Sequence, residues 1–192
     1  MMCILFGPPG SGKGTQAELI TRELDVPHVS TGELLRAEAA AGTPLGREVA
    51  PLLAAGELVP DAVVERLVQV RLEAPDAAAG AILDGYPRTA PQARNLSSFL
   101  SGTGRRVDVV LVLDVDEQGL IERLSRRAAE QHRADDNPTS IAERMAEYRQ
   151  LSEPVLDFYR LEGVQILEVD GSGDVGAVHA RIVQALKSAE HP

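Results

Sequence analysis

Short apolar runs alternate along the chain with longer amphipathic stretches. The apolar runs are CILF at 3–6, AILD at 81–84, VDVVLVLDV at 107–115 and VQILEV at 164–169. The longer stretches that follow them cover residues 15–24, 90–100, 117–127 and 174–186. Strands that alternate with amphipathic helices indicate a parallel sheet with helical crossovers. With PHVS at 27–30 as a weaker fifth strand, the pattern predicts an α/β protein with a five-stranded parallel sheet and helices on both faces.

The segment 30–59 does not fit the pattern of a core strand or a crossover helix. Its helical patterns are short, and Gly42, Gly46 and Gly56 interrupt them. Because glycine weakens a helix, these positions are expected to separate short helices. The segment is therefore predicted to be a small helical insertion within a single domain that covers residues 1–192.

A second segment, 126–137, is polar and has no apolar periodicity, which predicts an exposed loop. Asn137 and Pro138 at its end suit the start of a helix, since a capping residue precedes a proline in the first turn. Pro154 is expected to kink or end that helix, because proline lacks the backbone N–H that the helix needs.

The composition and charge limit the possible functions. Hydrophobic residues make up 44% of the 192 residues, which is enough to fill a core. Lys and Arg number 19 against 29 Asp and Glu, so the net charge is −10. A general nucleic-acid-binding protein normally carries a basic surface. No nucleic-acid partner is therefore expected, and any anion site must be a local cluster of basic groups.

The single cysteine, Cys3, lies in the first apolar run, MCILF. Alone it forms neither an internal disulfide nor a multi-cysteine zinc site, and burial in a strand is its expected role. The run is too short for a signal-peptide core or a membrane span, and no basic segment precedes it. These features lead us to expect a cytoplasmic protein with no membrane partner.

The segment GPPGSGKGT at 7–15 is close to the phosphate-binding pattern G-x-x-x-x-G-K-[ST]. Its glycines and Lys13 fit, whereas the hydroxyl comes one residue late, at Thr15. In such a loop backbone N–H groups converge on phosphate oxygens, the helix N-terminus adds positive potential, and the lysine supplies a mobile charge. The alternative is a glycine-rich turn with an incidental lysine. The predicted strand before the loop and the predicted helix after it favour the phosphate site.

The segment AILDGYPRT at 81–89 is also compatible with an anion site. Asp84 is placed at the carboxyl end of a predicted strand, where open parallel sheets bind ligands. In phosphate-loop enzymes such an aspartate helps to hold the metal, usually through water. Arg88 follows a tight turn, from which we expect it to reach the same cleft. The alternative is that Asp84 merely ends a strand. The phosphate-binding pattern at 7–15 makes this alternative less favoured.

Four arginines lie in or beside the polar loop, namely Arg123, Arg127, Arg133 and Arg144. Arginines four residues apart on a helix repel each other unless an anion lies between them. A solvated basic surface paired with nearby glutamates is the alternative for any one of them. In so acidic a chain, the group favours a phosphate clamp, because guanidinium groups match phosphate geometry.

Four motifs together resemble the adenylate kinases of the nucleoside monophosphate kinase family. They are GPPGSGKGTQ, STGELLR, DGYPRT and RLSRRAAEQHRADDNPTSIAERM, in that order. The resemblance extends over essentially the whole chain and implies a P-loop NTPase-type fold. It implies reversible transfer of the terminal phosphoryl group from Mg-ATP to AMP, which gives two ADP. It identifies 30–59 as the NMP-binding insertion and 126–137 as a lid of the short form, with Mg²⁺ as cofactor and no structural zinc.

The resemblance also implies which residues bind each substrate. The ATP contacts would be Gly10, Ser11, Gly12, Lys13, Gly14, Thr15, Arg123, Arg127 and Gly173. The AMP contacts would be Thr31, Arg36, Glu57, Leu58, Val59, Gly85, Tyr86, Pro87, Arg88, Gln92, Arg133 and Arg144. Catalysis would use Lys13, Arg88, Arg123, Arg127, Arg133 and Arg144. Mg²⁺ would be held through water and phosphates near Thr15 and Asp84.

Two alternative functions remain open at this point. A UMP/CMP kinase shares the architecture, but Thr31 and Gln92 match the residues that contact adenine in adenylate kinases. A nucleotide-dependent switch that hydrolyses NTP slowly is the alternative from another class, although no N-K-x-D motif occurs. The four histidines share no metal-ligand spacing and are interpreted as surface or structural residues. One compact domain with two inserts leads us to expect a monomer.

Overall fold

The computed structural model describes residues 1–55, 57, 59–116, 119–120, 123–124 and 138–190. Its strands are β1 (Met2–Phe6), β2 (His28–Ser30), β3 (Ala81–Asp84), β4 (Val109–Asp114) and β5 (Gln165–Asp170). They form a five-stranded sheet in the order β2-β3-β1-β4-β5, and every neighbouring pair is parallel. The predicted sheet is therefore confirmed, including the weaker strand at 28–30.

The helices with described bounds are α1 (Lys13–Leu24), α2 (Thr31–Ala41), α3 (Pro44–Ala55), α4 (Asp61–Leu72), α5 (Ala90–Gly102), α6 (Pro138–Leu161) and α7 (Val175–Glu190), with a short 3₁₀ helix at Pro75–Ala77. Residues 119–120 and 123–124, within the predicted helix 117–127, are also helical, and the rest of that stretch lies outside the described residues. The crossover helices predicted after the first, third and last strands are α1, α5 and α7. Helix α4 was not among the elements predicted from the sequence. Its buried residues, Val64, Val68 and Leu72, recur every four positions and carry the helical signal.

The core lies on both faces of the sheet, because side chains alternate along each strand. On one face Leu5 packs with Ile20 of α1 and Ile182 of α7. On the other face Ile4 packs with Leu96 of α5 and Tyr159 of α6. The helices thus cover both faces, as predicted. Cys3 is buried in β1 with no exposed surface, which confirms its expected position.

Gly46 does not interrupt a helix, which corrects one expectation for the insertion. It lies inside α3, and a Cβ atom built at this position would be 1.9 Å from the carbonyl oxygen of Glu38 in α2. The glycine therefore allows close packing of two helices, a benefit that outweighs its weak helical propensity. Gly42 does end α2, in a left-handed conformation. Gly56 lies outside the described residues.

Helix α6 begins at Pro138, as predicted, but it does not end at Pro154. It continues through this proline to Leu161. The turn after the proline buries Val155 and Tyr159, each with no exposed surface. This burial holds the second half of the helix against the sheet and offsets the roughly 3 kcal/mol that an internal proline costs.

Candidate active site at the carboxyl ends of β1 and β3

The loop between β1 and α1 has the backbone of a phosphate-binding turn. Gly10 and Gly12 have φ angles of +83° and +94°, which only glycine adopts without strain. Gly12 occupies the N-cap of α1 and has no side chain with which to cap the helix. The first turn of α1 therefore has no side-chain cap, and the helix dipole favours an anion there.

Lys13 is the first residue of α1, and its ammonium group lies on the loop itself. Nζ donates hydrogen bonds to the carbonyl oxygens of Gly7 at 2.7 Å and Pro8 at 2.9 Å. The hydroxyl of Ser11 is 3.4 Å from the same nitrogen. The positive charge is thus held within the turn. Thr15 lies exposed in the first turn of α1.

Asp84 ends β3, beside the start of α1. The register of the parallel strands aligns it with Leu5 of β1. A Cβ atom at Gly14 would lie 3.8 Å from Oδ2 of Asp84, so this carboxylate faces the phosphate-loop side of the site. Burial raises the pKa of Asp84, but His28, Lys13 and Arg88 outweigh it and hold the pKa below its usual value.

His28 is a neighbour of Asp84 that the sequence did not identify. Its Nε2 atom lies 3.6 Å from Oδ2 of Asp84, which is an ion-pair distance rather than a hydrogen bond. Burial lowers the pKa of His28, but the adjacent carboxylate raises it by more than burial lowers it. The pKa of His28 therefore lies above its usual value. His28 and Asp84 lie on adjacent strands, so only the sheet register brings them together.

Thr31 and Arg88 converge on the backbone of Gly85. The hydroxyl of Thr31 donates to the Gly85 carbonyl at 3.1 Å, and Nε of Arg88 donates to the same oxygen at 2.8 Å. Gly85 has a φ angle of +78°, and a Cβ atom there would lie 2.8 Å from the Thr31 hydroxyl. A side chain at this position would therefore close the space between the two predicted AMP contacts.

Gln92 is buried at the start of α5 and is held at both ends of its amide. Its Oε1 atom accepts a 2.7 Å hydrogen bond from the backbone N–H of Arg88, and Nε2 donates to Oδ1 of Asp61 at 2.7 Å. Asp61 is a second residue that sequence reasoning missed. Pro60 followed by Asp61, ahead of the apolar periodicity of α4, was the available signal for a helix start.

The remaining predicted AMP contacts fall into two groups. Val59 and Tyr86 have buried side chains in the hydrophobic core. The Tyr86 hydroxyl donates a 3.3 Å hydrogen bond to the backbone carbonyl oxygen of Gln92. Pro87 is also buried. Arg36 and Glu57 are exposed, and Arg36 lies on α2 with its guanidinium group beside Gly32.

Arg123 joins the phosphate loop to the loop after β5. Its guanidinium group donates to the carbonyl oxygens of Ser11 at 3.3 Å, Gly171 at 2.9 Å and Gly173 at 3.3 Å. Gly173, the predicted adenine contact, has a φ angle of +95°. The predicted ATP contacts of these two loops therefore meet around one arginine.

Some predicted site residues cannot be placed in this geometry. Leu58, Arg127, Arg133 and the whole of 126–137 lie outside the described residues. Arg144 belongs to α6, but its side chain is not described. Within the described part of the chain, no three His, Cys, Asp or Glu side chains are grouped as metal ligands. Over the same part, no helix is both long and apolar enough to cross a membrane.

Known proteins similar to this chain carry the name adenylate kinase. A family model described as "Adenylate kinase" matches residues 5–164. A protein named adenylate kinase from Stenotrophomonas maltophilia (strain K279a) is 45% identical over 188 residues, which cover 98% of this chain and 100% of that protein. One of the same name from Phenylobacterium zucineum (strain HLK1) is 46% identical over 189 residues, or 98% and 99% of the two chains. Since the family model matches residues 5–164 and both relatives cover 98% of the chain, this chain belongs to the adenylate kinase family.

Proposed function

We propose that the chain catalyses the reversible transfer of the terminal phosphoryl group from Mg-ATP to AMP, which gives two ADP. The observation that carries the proposal is the adjacency of the loops after β1 and β3. The two strands are parallel neighbours, and Leu5 is in register with Asp84. A donor phosphate on the first loop and an acceptor phosphate near Arg88 would thereby lie at the same edge of the sheet.

The donor would bind across the phosphate loop and the loop after β5. Backbone N–H groups of 10–15 would hold its phosphates, while Lys13 would exchange its carbonyl partners for phosphate oxygens. Arg123 already bridges both loops, and Gly173 would contact the adenine through its backbone. Arg127 is assigned to the same nucleotide on the sequence resemblance alone.

The acceptor would bind between α2, the turn after β3 and the start of α5. Arg36 and Arg88 would hold its phosphate, whereas Thr31 and Gln92 would contact its base. The buried side chains of Val59 and Tyr86 leave their backbones as the groups that a ligand can reach. Glu57, Leu58, Gly85, Pro87, Arg133 and Arg144 complete the proposed AMP contacts.

Asp84 suits the Mg²⁺ that adenylate kinases use together with ATP. Mg²⁺ prefers oxygen ligands and is often held by one or two carboxylates, water and substrate phosphates. The Asp84 carboxylate has a lowered pKa and faces the loop proposed to hold phosphates. Thr15 is the nearby hydroxyl of the motif. When bound, the ion would neutralise charge on the phosphates.

The residues of this chain would act by positioning and charge neutralisation. The acceptor phosphate is already anionic, so no general base is required. Lys13, Arg88 and Arg123 would stabilise charge on the transferring group. Water must be excluded, because ATP would otherwise be hydrolysed. We assign this exclusion to the insertion 30–59 and the lid 126–137, an assignment that rests on the sequence resemblance.

The test is ADP formation from Mg-ATP with AMP, CMP, UMP or no acceptor. We expect rapid ADP formation with AMP and much slower formation with the pyrimidine nucleotides. Preference for CMP or UMP would replace the proposal with a UMP/CMP kinase. Equal ADP release with and without an acceptor would indicate a nucleotide-hydrolysing switch.

A further inference from the structure

Asp61 lies at the start of α4, and both oxygens of its carboxylate accept hydrogen bonds from residues at the start of α5. Oδ1 accepts a 2.7 Å hydrogen bond from Nε2 of Gln92, and Oδ2 accepts one of 3.3 Å from the Thr89 hydroxyl. Gln92 is only 4% exposed, so its amide is held inside the protein. The Oε1 atom of the same amide accepts a hydrogen bond from the backbone N–H of Arg88.

These contacts determine which end of the amide is nitrogen and which is oxygen. An ionised carboxylate only accepts hydrogen bonds, and a backbone N–H only donates them. Nε2 of Gln92 must therefore face Asp61, while Oε1 must face Arg88. A primary amide has two N–H donors and two acceptor lone pairs. Among the described residues, the hydrogen bonds to Asp61 and Arg88 thus leave one donor and one acceptor of Gln92 for a ligand, in fixed positions.

The orientation of this amide decides which purine it fits. Adenine offers an acceptor at N1 and a donor at its 6-amino group. The base of IMP offers the reverse, a donor at N1 and an acceptor at O6. A glutamine that is free to turn its amide by 180° can bind either base. A glutamine held in one orientation fits one base and leaves unpaired polar groups against the other.

We propose that Asp61 is a positioning residue that selects AMP over IMP by holding the amide of Gln92 in one orientation. The inference rests on the proposed function, because it takes Gln92 as a contact of the acceptor base. A turned amide would place its carbonyl oxygen against the Asp61 carboxylate. The same turn would direct its NH₂ group toward the N–H of Arg88. Asp61 therefore opposes the orientation that IMP requires.

The test measures kcat/KM for AMP and for IMP in the wild type, Asp61→Asn, Asp61→Ala and Gln92→Ala. Asparagine has the size of aspartate, but its amide can accept or donate, so it supports either orientation of Gln92. We expect the AMP to IMP ratio of kcat/KM to fall about tenfold in Asp61→Asn, as for the loss of one charge-assisted hydrogen bond. The change should come mainly from a lower KM for IMP.

Glu65→Gln is the matched control. Glu65 accepts a 2.8 Å hydrogen bond from Asn95, one turn further along the same two helices, without contacting Gln92. Its substitution should leave the AMP to IMP ratio unchanged. Thermal unfolding of each variant separates lost selectivity from lost folding. Asp61→Ala should relax selectivity in the same direction if it folds, and Asp61→Asn carries the test if it does not.

An unchanged ratio in Asp61→Asn, together with a changed ratio in Gln92→Ala, would overturn the role of Asp61 alone. An unchanged ratio in Gln92→Ala would overturn both the role of Asp61 and the assignment of Gln92 to the base. If the wild type formed no ADP from ATP and AMP, the proposed function would fail, and this inference with it. A fall in Asp61→Asn but not in Glu65→Gln supports the proposal.

Discussion

Nη2 of Arg123 donates a 2.9 Å hydrogen bond to the carbonyl oxygen of Gly171, just beyond β5. Nη1 of the same side chain donates to the carbonyl oxygen of Ser11 in the phosphate loop. In the sheet, β4 separates β5 from β1, so this guanidinium group spans two loops that do not follow neighbouring strands. It ties the loop proposed to bind the adenine of ATP to the loop proposed to bind its phosphates.

Substitution of Arg123 is expected to impair ATP binding even when the charge is kept. In Arg123→Lys, one ammonium group replaces a planar fork and cannot bridge both loops. We expect the KM for ATP to rise about tenfold, with the KM for AMP nearly unchanged, as for the loss of one hydrogen bond from a charged donor. Steady-state kinetics with ATP varied measures the effect. Arg160→Lys, on the exposed end of α6, is the control, and an equal KM for ATP in both variants would count against the bridge.

Lys13→Met is expected to lower kcat by about a thousandfold, since it removes the positive charge proposed to stabilise the transferring phosphate. The folded structure should persist, because the hydrogen bonds of Lys13 are to the carbonyl oxygens of its own loop. The sequence contains one other lysine, Lys187, which is exposed on α7. Lys187→Met is therefore a matched control. Rate assays measure kcat, and circular dichroism checks that each variant is folded. Near-normal turnover in Lys13→Met would show that this residue has no role in catalysis.

Arg88→Ala is expected to damage use of the acceptor. The residue lies on the turn after β3, with its guanidinium group beside Gly85 and Thr31. We expect kcat/KM for AMP to fall about a hundredfold or more, because a guanidinium contact to phosphate is charge-assisted and bidentate. The KM for ATP should change little. Arg94→Ala, on the exposed side of α5, provides the comparison. Unaltered kcat and KM for AMP in Arg88→Ala would refute the assignment.

The thiol of Cys3 is expected to be inert in the folded protein. Burial, with a smaller contribution from Asp108, raises its pKa from about 9 to about 12. At pH 8 the thiolate fraction is then about a thousandfold lower than in the unfolded chain, and burial blocks access as well. Alkylation by iodoacetamide should therefore be very slow in buffer and rapid in denaturant. Similar rates under the two conditions would show that β1 is not held in the core.

The strands were predictable because a strand buried on both faces is a short apolar run. This pattern can be recognised in the sequence without knowing which strands lie beside it. Two features depended instead on contacts between distant residues. Gly46 is a packing position because α2 passes over it, and Pro154 stays within α6 because Tyr159 is buried against the sheet. Local propensity alone favoured a break at both positions.

The same distinction applies to the candidate site. Lys13 and Asp84 were predictable, because the phosphate loop has a local motif and the aspartate follows an apolar strand. His28 and Asp61 were not, since their partners Asp84 and Gln92 lie far from them in the sequence. Strand register brings His28 to Asp84, and the packing of α4 against α5 brings Asp61 to Gln92. No local pattern encodes either approach.

The most direct test of the central claim starts from ADP alone. The protein is incubated with Mg²⁺ and ADP, with no other nucleotide, and ³¹P NMR follows the products. Because the proposed reaction is reversible and needs two nucleotide sites, ATP and AMP should appear in equal amounts until equilibrium. The Lys13→Met variant should give almost none, and the Lys187→Met variant should match the wild type. ADP that stays unchanged, or that yields AMP and inorganic phosphate without ATP, would contradict the account.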